Sequence, residues 1–511
     1  MTLPLRIPAL ASVDDFRQAL AALGLELPVD DAPLSAAAGS PLAEPLCVGS
    51  LRIGNRWCIH PMEGWDGTTD GRPSEHTLRR WRNFGLSGAK LIWGGEAFAV
   101  RPAGRANPRQ LCFGPHAPDS LRELLAATQN AHALEYGTGA TDDLLIGLQL
   151  THSGRFCKPH RTDRFEPRIA YHHPTLDACV GISPDDHSSV WTDGEIRELI
   201  ADYVASAKAA QAAGVGFVDV KCCHGYLGHE FLSAFDRPGD YGGDFAARTR
   251  FVREIVAAIR SECPGLAIGV RLSLWDTLAY RPDPARSSPG KLGPGIPIEG
   301  EASHLYPVFG ANRENPLEID LREPIALIDQ LWREHSVSLW NLTAGSPYYN
   351  PHVQRPAIYP PSDGYSPPED PLVGCVRQIK AVREVRETFR RAAAASVPSQ
   401  LQATPSTPLF VGTAYTYFQE YLPHVAQAVV RAGWVDSVGL GRLVLSDWRL
   451  PAQVLSGKNF AADKKLCRTF SDCTTAPRHG LVSGCYPLDP YYKQMPEAAE
   501  LKQIKRGKSS R

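Results

Sequence analysis

The chain has 511 residues, of which 43% are hydrophobic and 21% are charged, as is ordinary for a soluble globular protein. A formal net charge of −1 provides no basic surface for nucleic acid or an anionic membrane. No apolar run approaches the roughly 20 residues that span a bilayer, and the first residues lack the pattern of a secretory signal. Because the twelve cysteines accompany no export signal, we predict a cytoplasmic protein with reduced thiols.

Eight short apolar runs recur along the chain, with longer helical patterns between them. The runs cover residues 57–60, 90–93, 144–150, 216–221, 266–272, 337–343, 409–412 and 437–441. The helical patterns include residues 119–136, 193–213, 244–261 and 417–432. The runs are continuous rather than alternating, which is typical of parallel strands covered on both faces. Eight such units predict a closed (β/α)8 barrel; a doubly wound sheet is the alternative, because counting strands does not show closure.

The pattern divides the chain into an N-terminal extension at residues 1–50, a barrel at 51–456 and a C-terminal tail at 457–511. Two long loops rich in proline follow the fifth and sixth runs, at residues 281–318 and 344–370. Barrel active sites are built where the strands end, so the first loop is either a lid that contacts substrate or a solvated insertion without a role.

Glycines and polar residues near the strand ends converge on one site if the barrel closes. Gly412, Gly441 and Arg442 end the seventh and eighth runs, where barrels bind phosphate through backbone N–H groups and a cation. Gln149 and Arg271 lie in the third and fifth runs, where an amide could bond a pyrimidine-like edge and a guanidinium could balance an anionic ring. These residues together predict a phosphorylated planar cofactor. No G-x-G-x-x-G motif follows a strand, so no separate dinucleotide-binding domain is predicted.

Six stretches resemble consecutive motifs of the old yellow enzyme family. They are NRWCIHPMEGWDG, LIWGGEAFAVRPAGR, IGLQLTHSGR, FVDVKCCHGYLGHEFLSAFDRPGDYGGDFAARTRFVREIV, GVRLSLWD and VGLGRLVLSD. They follow the order of the family and span roughly residues 50–450. The resemblance implies an FMN-binding (β/α)8 barrel that takes hydride from NAD(P)H and passes it to an activated small-molecule acceptor.

The resemblance also implies nine contacts to the flavin. The nine residues are Pro61, Met62, Glu63, Ala97, Gln149, Arg271, Gly412, Gly441 and Arg442. The first three would line the flavin from the first strand, and the last three would hold its phosphate. Ala97 would lie by the reactive ring nitrogen, Gln149 at the pyrimidine edge and Arg271 at the N1–C2 region.

The catalytic residues implied by the resemblance are Lys221, His224 and Tyr226. Family members usually carry two donors, His-x-x-His or His-x-x-Asn, that hold the acceptor oxygen, and a tyrosine that protonates the substrate carbon. Here lysine replaces the first donor, and a cation there would favour an anionic or strongly polarised acceptor. The alternative is that Lys221 only forms an ion pair with an acid such as Glu96.

Three cysteines in the tail resemble the linker that binds a 4Fe–4S cluster in the larger dienoyl-CoA reductases and in trimethylamine dehydrogenase. That linker has the pattern C-x2-C-x3-C-x11-C, and Cys467, Cys473 and Cys485 preserve the last spacing but lack the second ligand. Because four thiolates normally hold such a cluster, we predict that no cluster binds and that the tail is a structural relic or a cap over the barrel.

Four interpretations of function follow. The leading one is an NAD(P)H-linked ene-reductase. The second is a flavin-dependent amine or ether dehydrogenase, or a demethylase, that passes electrons to an external carrier. The third is a flavin-free aldolase or lyase that forms a Schiff base on Lys221, and the fourth is a flavin-binding protein without catalysis. The sequence leaves open the substrate, the choice between NADH and NADPH, and the oligomeric state, including a homo-oligomer.

Overall fold

The computed structural model describes residues 4–288, 292–299, 307–362, 364–395 and 407–507. Its strands, in chain order, are β1 Leu46–Val48, β2 Leu51–Ile53, β3 Trp57–Ile59, β4 Leu91–Ile92, β5 Ala97–Ala99, β6 Leu145–Thr151, β7 Phe217–Cys222, β8 Ala267–Ser273, β9 Tyr280–Pro282, β10 Gly295–Pro297, β11 Leu339–Thr343, β12 Leu409–Gly412 and β13 Ser437–Leu440. Each of the eight predicted runs coincides with a strand, namely β3, β4, β6, β7, β8, β11, β12 and β13.

The eight strands close into a barrel in which every neighbouring pair is parallel. Closure is visible where β13 pairs with β3 through Val438 and Trp57, and β3 pairs with β4 through Cys58 and Leu91. Strand β4 pairs in turn with β6 through Leu91 and Leu145, and β5 extends the second barrel strand alongside β6. The predicted (β/α)8 barrel is therefore confirmed, and a doubly wound sheet is excluded because an open sheet has two edges.

The α-helices cover the outside of the barrel, its ends and the tail. They are Val13–Ala22, Glu75–Gly85, Ala117–Tyr136, Pro174–Val180, Asp193–Ala213, Leu227–Leu232, Phe245–Glu262, Arg322–His335, Pro351–Gln354, Pro371–Ala395, Leu422–Arg431, Leu450–Leu455, Asp472–Arg478, Pro490–Lys493 and Glu497–Lys505. Three of the four predicted helices are confirmed within two residues. The fourth begins instead as a 3₁₀ segment, Tyr415–Tyr421, because Gln419 has non-helical torsion angles (φ 50°, ψ −111°). No helix in the described part of the chain is long and apolar enough to cross a membrane.

The N-terminal end of the barrel is filled by apolar side chains. The antiparallel β1–β2 hairpin packs Leu46, Val48 and Ile53 into one cluster with Cys58 and Leu91 at the bottom of the barrel. Every residue of β6 and of β7 is buried, as expected for strands covered on both faces. Because this end is closed, a site for ligands can open only at the C-terminal end of the strands.

The two proline-rich loops differ in their relation to that end. The loop at 281–318 contains β10, which pairs antiparallel with β9, whereas residues 289–291 and 300–306 lie outside the described residues. Its described residues are not part of the wall of the main cavity, so they do not support the interpretation as a lid that contacts substrate. The loop at 344–370 contributes to that wall instead.

Candidate active site

The main cavity lies at the C-terminal end of the barrel strands. Its wall includes ten of the twelve predicted site residues, namely Pro61, Met62, Glu63, Gln149, Lys221, His224, Tyr226, Arg271, Gly441 and Arg442. They come from the ends of β3, β6, β7, β8 and β13 or from the loops that follow them. Parallel strands of a closed barrel bring these positions together although they are distant in sequence.

The buried side of the cavity combines an amide with a cation. Gln149 is 1% exposed, and its Nε2 donates to Asp219 Oδ2 at 2.6 Å, which fixes the orientation of the amide. Arg271 is 6% exposed; one of its terminal nitrogens donates to Pro61 O at 3.2 Å, and its Nε has no acceptor among the described residues. Burial raises the pKa of Asp219, and the nearby charge of Arg271 lowers it in part. An under-satisfied buried guanidinium on a cavity wall suits an electron-rich planar ligand.

The part of the cavity wall that follows β12 and β13 suits a small anion. Thr413 and Ala414 line the wall, and Ala414 has a left-handed backbone (φ 75°) where the 3₁₀ segment Tyr415–Tyr421 begins. An added Cβ at Gly441 would meet no atom within 4 Å, so the backbone is open at this point. Arg442 reaches Ser471 Oγ only at 3.5 Å, a long contact that leaves its charge available. A glycine and an arginine here fit the predicted phosphate position.

Four side chains form one hydrogen-bonded chain on the cavity wall. Lys221 Nζ donates to Glu63 Oε1 at 2.5 Å, and the Tyr226 hydroxyl donates to Glu63 Oε2 at 2.5 Å. The hydroxyls of Tyr226 and Tyr348 lie 3.0 Å apart, and Lys221 Nζ lies 3.7 Å from the centroid of the Tyr226 ring. Burial, followed by the charge of Glu63, raises the pKa of Tyr226 well above its ordinary value. The charge of Lys221 is therefore balanced by the carboxylate of Glu63.

The alternative ion-pair partner of Lys221 lies elsewhere. Arg80 forms buried ion pairs with both Asp66 and Glu96, and Glu96 also accepts from Gly64 N at 2.8 Å. Burial raises the pKa of Glu96, and Arg80 opposes that effect. Lys221 does form an ion pair with an acid, as the alternative predicts, but the acid is Glu63 rather than Glu96, because Arg80 already pairs with Glu96.

His224 occupies a strained position directly after β7. Its backbone is left-handed (φ 65°), a conformation that non-glycine residues adopt at a cost. The ring Nε2 lies 3.2 Å from Thr343 Oγ1 and 3.4 Å from Gln354 Nε2. Burial, reinforced by the charges of Arg271 and Lys221, lowers the pKa of His224 well below its ordinary value. His224 is thus a neutral imidazole on the cavity wall.

Two predicted flavin contacts are not on the cavity wall. Ala97 is 1% exposed and pairs with Gln149 within the sheet, and its carbonyl accepts from Gln110 Nε2 at 2.9 Å. The space beside Gly412 is filled, because an added Cβ would lie 2.9 Å from the Tyr415 hydroxyl. The residues that follow Gly412 line the cavity in its place.

The sequence interpretation missed the part of the wall that comes from loops and from the tail. These residues include Trp65, Pro347, Tyr348, Gln354, Arg355, Cys473, Thr474, Pro477, Arg478 and Ser483. The tail is anchored by Ser471 Oγ, which donates to Tyr359 O at 2.6 Å, and by a two-pronged ion pair of Arg79 with Asp489 at 2.8 and 3.1 Å. The tail therefore caps the barrel, one of the two predicted alternatives. The Pro/Tyr-rich composition of residues 344–370 was the available signal for the loop.

The three tail cysteines lie near one another and near the cavity. Cys473 is part of the cavity wall, and Cys467 Sγ accepts from Thr469 N at 3.4 Å. Burial, followed by the neighbouring thiols of Cys467 and Cys473, raises the pKa of Cys485. In the residues that the structure describes, no group of three or more His, Cys, Asp or Glu side chains is arranged to hold a metal ion. That no iron–sulfur cluster binds stays a prediction.

Comparison with known sequences finds similar proteins for the N-terminal part of the barrel. Residues 41–284 match the model of the NADH:flavin oxidoreductase / NADH oxidase family. The chain is 27% identical over 251 residues to 12-oxophytodienoate reductase 1 of Oryza sativa subsp. japonica, covering 47% of this chain and 61% of that protein. It is 26% identical over 227 residues to NADPH dehydrogenase of Clostridium acetobutylicum, covering 43% and 60%. These matches span about three fifths of the relatives' own lengths.

Comparison with solved structures supports the same fold. The old yellow enzyme homologue from Zymomonas mobilis is similar with a TM-score of 0.52 and 19% identity, covering 82% of this chain and 93% of that one. A 2-naphthoyl-CoA reductase is similar with a TM-score of 0.59 and 16% identity, covering 90% and 58%. Histamine dehydrogenase from Rhizobium sp. 4-9 has a TM-score of 0.57 and 19% identity, covering 89% and 53%. The resemblance indicated by the motifs is confirmed: this chain is similar to the old yellow enzyme family, and its residues 41–284 match the NADH:flavin oxidoreductase / NADH oxidase family.

Proposed function

We propose that this protein is an FMN-dependent oxidoreductase that transfers reducing equivalents from NAD(P)H to an activated small-molecule acceptor. The observation that carries the proposal is Arg271, a buried cation on the cavity wall whose Nε has no acceptor among the described residues. A bound flavin supplies the hydride chemistry, and the protein supplies binding, orientation and protons. A cytoplasmic location and a homo-oligomer stay predictions.

The residues present fit FMN at both ends of the molecule. Gln149 and Arg271 would hold the polar edge of the ring, and Pro61 and Met62 line the wall beside them. Arg442 and the open backbone at Gly441 would hold the phosphate at the other side. Binding would be non-covalent, because the proposal requires only hydrogen bonds and charge.

His224 and Tyr226 are the residues that we propose contact the acceptor. A neutral imidazole can donate one hydrogen bond to an acceptor oxygen without adding charge, and the lowered pKa of His224 keeps it neutral. Lys221 can donate a second bond, but its charge is already balanced by Glu63 at 2.5 Å. The expectation of a preference for anionic acceptors is therefore weakened, and polarised neutral acceptors such as enones fit the site.

The proposal is tested by separating the two half-reactions. Purified protein should carry FMN that is released by heat, and anaerobic stopped-flow measurements should show flavin reduction by NAD(P)H and reoxidation by an enone. Tyr226→Phe should slow reoxidation by about 10²-fold or more and leave reduction nearly unchanged, since it removes only a proton donor. Tyr136→Phe is the matched control, because Tyr136 donates to Leu86 O at 2.8 Å, outside the cavity wall. Protein that neither contains nor takes up FMN contradicts the proposal.

A second candidate is a flavin-dependent dehydrogenase that oxidises an amine or ether and passes electrons to an external carrier. The observation in its favour is that the Tyr226 hydroxyl already donates to a carboxylate and is thus placed to accept a proton. Rapid flavin reduction by an amine, with slow reduction by both nicotinamides, would establish this candidate. The Schiff-base interpretation is disfavoured, because it needs a neutral amine and Lys221 is held in an ion pair.

A further inference from the structure

The carboxylate of Glu63 connects the two residues that distinguish this site. One oxygen accepts from Lys221 Nζ and the other from the Tyr226 hydroxyl, each at 2.5 Å, and Trp65 Nε1 donates to the second oxygen at 3.2 Å. The side chain of Glu63 is 11% exposed, that of Lys221 is 5% exposed, and Tyr226 is 3% exposed. The hydroxyl proton of Tyr226 therefore points at a carboxylate in a poorly solvated position.

We propose that Glu63 is a positioning residue that takes up and returns the proton that Tyr226 exchanges with the substrate. This inference rests on the proposed function, since it concerns the same site. It adds to the single contact predicted for Glu63, which was to line the flavin. It also makes the protonation state of Glu63 decide in which direction the site moves a proton.

The proton balance can be written for both directions. In reduction, an activated C=C bond that gains a hydride equivalent from the nicotinamide still needs one proton. The O–H bond of Tyr226 breaks, a C–H bond forms on the substrate, and the proton of a protonated Glu63 moves to the Tyr226 oxygen. In oxidation, the electron pair of the substrate passes finally to the external carrier, the substrate proton moves to Tyr226, and the hydroxyl proton of Tyr226 moves to the ionised Glu63.

An ionised Glu63 opposes proton donation by Tyr226. If Tyr226 gave up its proton, the tyrosinate would lie 2.5 Å from a carboxylate oxygen in a buried position, and two like charges there repel strongly. A protonated Glu63 removes this repulsion because it can return a proton along the same hydrogen bond. The carboxylate that pairs with Lys221 in the structure is therefore the form that serves oxidation, and it must take up a proton before reduction.

The groups that face Glu63 come from several elements of the barrel. Lys221 at the end of β7 balances its charge, and the Tyr348 hydroxyl, from the loop after β11, bonds the same Tyr226 hydroxyl. The charge of Glu63 raises the pKa of Tyr348, although burial is the larger cause. The charges of Arg271, Lys221 and Glu63 all act on Cys223, so Arg271 belongs to the same electrostatic environment.

The first test compares pH profiles of reoxidation by an enone in the holoenzyme. The wild-type rate should fall as pH rises, because the proposed relay supplies a proton to the substrate. Glu63→Gln should lower the rate by about 10²-fold or more and remove the pH dependence, whereas Glu63→Asp should restore part of both. Lys221→Met should retain a pH dependence of the rate, because Glu63 and Tyr226 both remain.

The second test does not depend on turnover. Tyrosinate absorbance is measured during a pH titration of each protein and of the same protein with Tyr226→Phe. The difference between the two titrations reports the ionisation of Tyr226 alone. Tyr226 should ionise at lower pH in Glu63→Gln than in the wild type, because a negative neighbour is removed and Lys221 remains. If Glu63→Gln is poorly folded, Glu63→Gln with Lys221→Met removes both charges together and serves for the first test, and Glu63→Ala, which keeps Lys221, serves for the second.

The outcomes separate the inference from the proposed function. Reoxidation of Glu63→Gln at the wild-type rate, or with the wild-type pH dependence, overturns the inference and leaves the proposed function standing. A wild-type enzyme that no activated acceptor reoxidises overturns the proposed function. In that case, unchanged ionisation of Tyr226 in Glu63→Gln overturns the inference, and a lowered ionisation pH supports it.

Discussion

Replacement of Arg271 by methionine should move two measurable quantities in opposite directions. Arg271 is 6% exposed and has, among the described residues, one hydrogen bond at 3.2 Å and an Nε without an acceptor. Methionine retains most of the apolar stem and removes the charge. We expect Arg271→Met to weaken FMN binding and to stabilise the apoprotein. The cation would bond FMN in the holoprotein, whereas in the apoprotein it is a buried donor that lacks a hydrogen-bond acceptor.

The expected changes in FMN affinity and in the free energy of unfolding follow from the hydrogen bonds that the guanidinium makes or lacks. A hydrogen bond to a charged group contributes about 1.5–3 kcal/mol, so the Kd for FMN should rise roughly 10- to 150-fold. In the apoprotein, an unsatisfied buried donor costs about 1–3 kcal/mol, and removing it recovers that amount. Asp219 loses a favourable neighbouring charge, which offsets part of the gain. A net rise of about 1 kcal/mol in the free energy of unfolding is therefore expected.

The assay is a fluorescence titration of apoprotein with FMN, together with urea unfolding of the apoprotein. Arg260→Met is the matched control, since Arg260 donates to His335 O at 3.1 Å on the outer helix Phe245–Glu262 and should change neither FMN affinity nor the cavity. An unchanged Kd for FMN in Arg271→Met would contradict the proposed contact between Arg271 and the flavin. A decrease of several kcal/mol in the free energy of unfolding of the apoprotein would mean instead that Arg271 is a structural residue.

Three other predictions address separate parts of the molecule. Arg442→Ala should weaken FMN binding by about 1.5–3 kcal/mol, measured by the same titration, and an unchanged affinity would remove Arg442 from the phosphate position. Iron analysis of anaerobically purified protein should find no iron, and near four irons per chain, with absorbance lost in Cys473→Ala, would contradict the interpretation of the tail. Burial lowers the pKa of His152 to about 3, so protons favour the unfolded state below its unfolded pKa of about 6.5. As pH falls below 6.5, this residue should lower the free energy of unfolding of the wild type by about 1.4 kcal/mol per pH unit. Urea unfolding of His152→Gln should lack this contribution to the pH dependence. An equal pH dependence in the two proteins would refute the assignment.

The barrel was predictable because its strands carry a strong local signal. Strands buried on both faces must be apolar throughout, and a short continuous run such as 144–150 shows this without knowledge of any contact. Closure was not a local property, since it depends on pairing between β4 and β6 and between β13 and β3. The predicted helix at 417–432 was correct in its apolar periodicity and wrong at its start, because the torsion angles of Gln419 break the first turns.

The site was predictable where a residue is fixed by a strand and unpredictable where it is fixed by a loop or by the tail. Gln149 and Arg271 lie in strands, so their positions followed from the barrel alone. Tyr348 and Arg478 reach the same cavity from a loop and from the tail. The sequence of these segments has no periodicity from which the direction of a side chain can be predicted. Ala97 was harder to place, because an irregular stretch separates the two-residue strand β4 from β5, so the strand pattern does not give the side to which Ala97 faces.

The ion pair of Glu63 with Lys221 shows how two departures can compensate each other. The two residues are 158 positions apart, and each taken alone suggested a different role, one beside the flavin and one toward an anionic substrate. Because their charged atoms lie 2.5 Å apart in a buried position, each offsets part of the cost of burying the other, and their charges balance. What the pair leaves at the cavity wall is a tyrosine whose proton is held by a carboxylate. The replacement of the first donor by lysine is therefore better explained by the control of proton transfer at Tyr226 than by the charge of the acceptor, and Lys221→Met and Glu63→Gln should affect the pH dependence of turnover more than the choice of substrate.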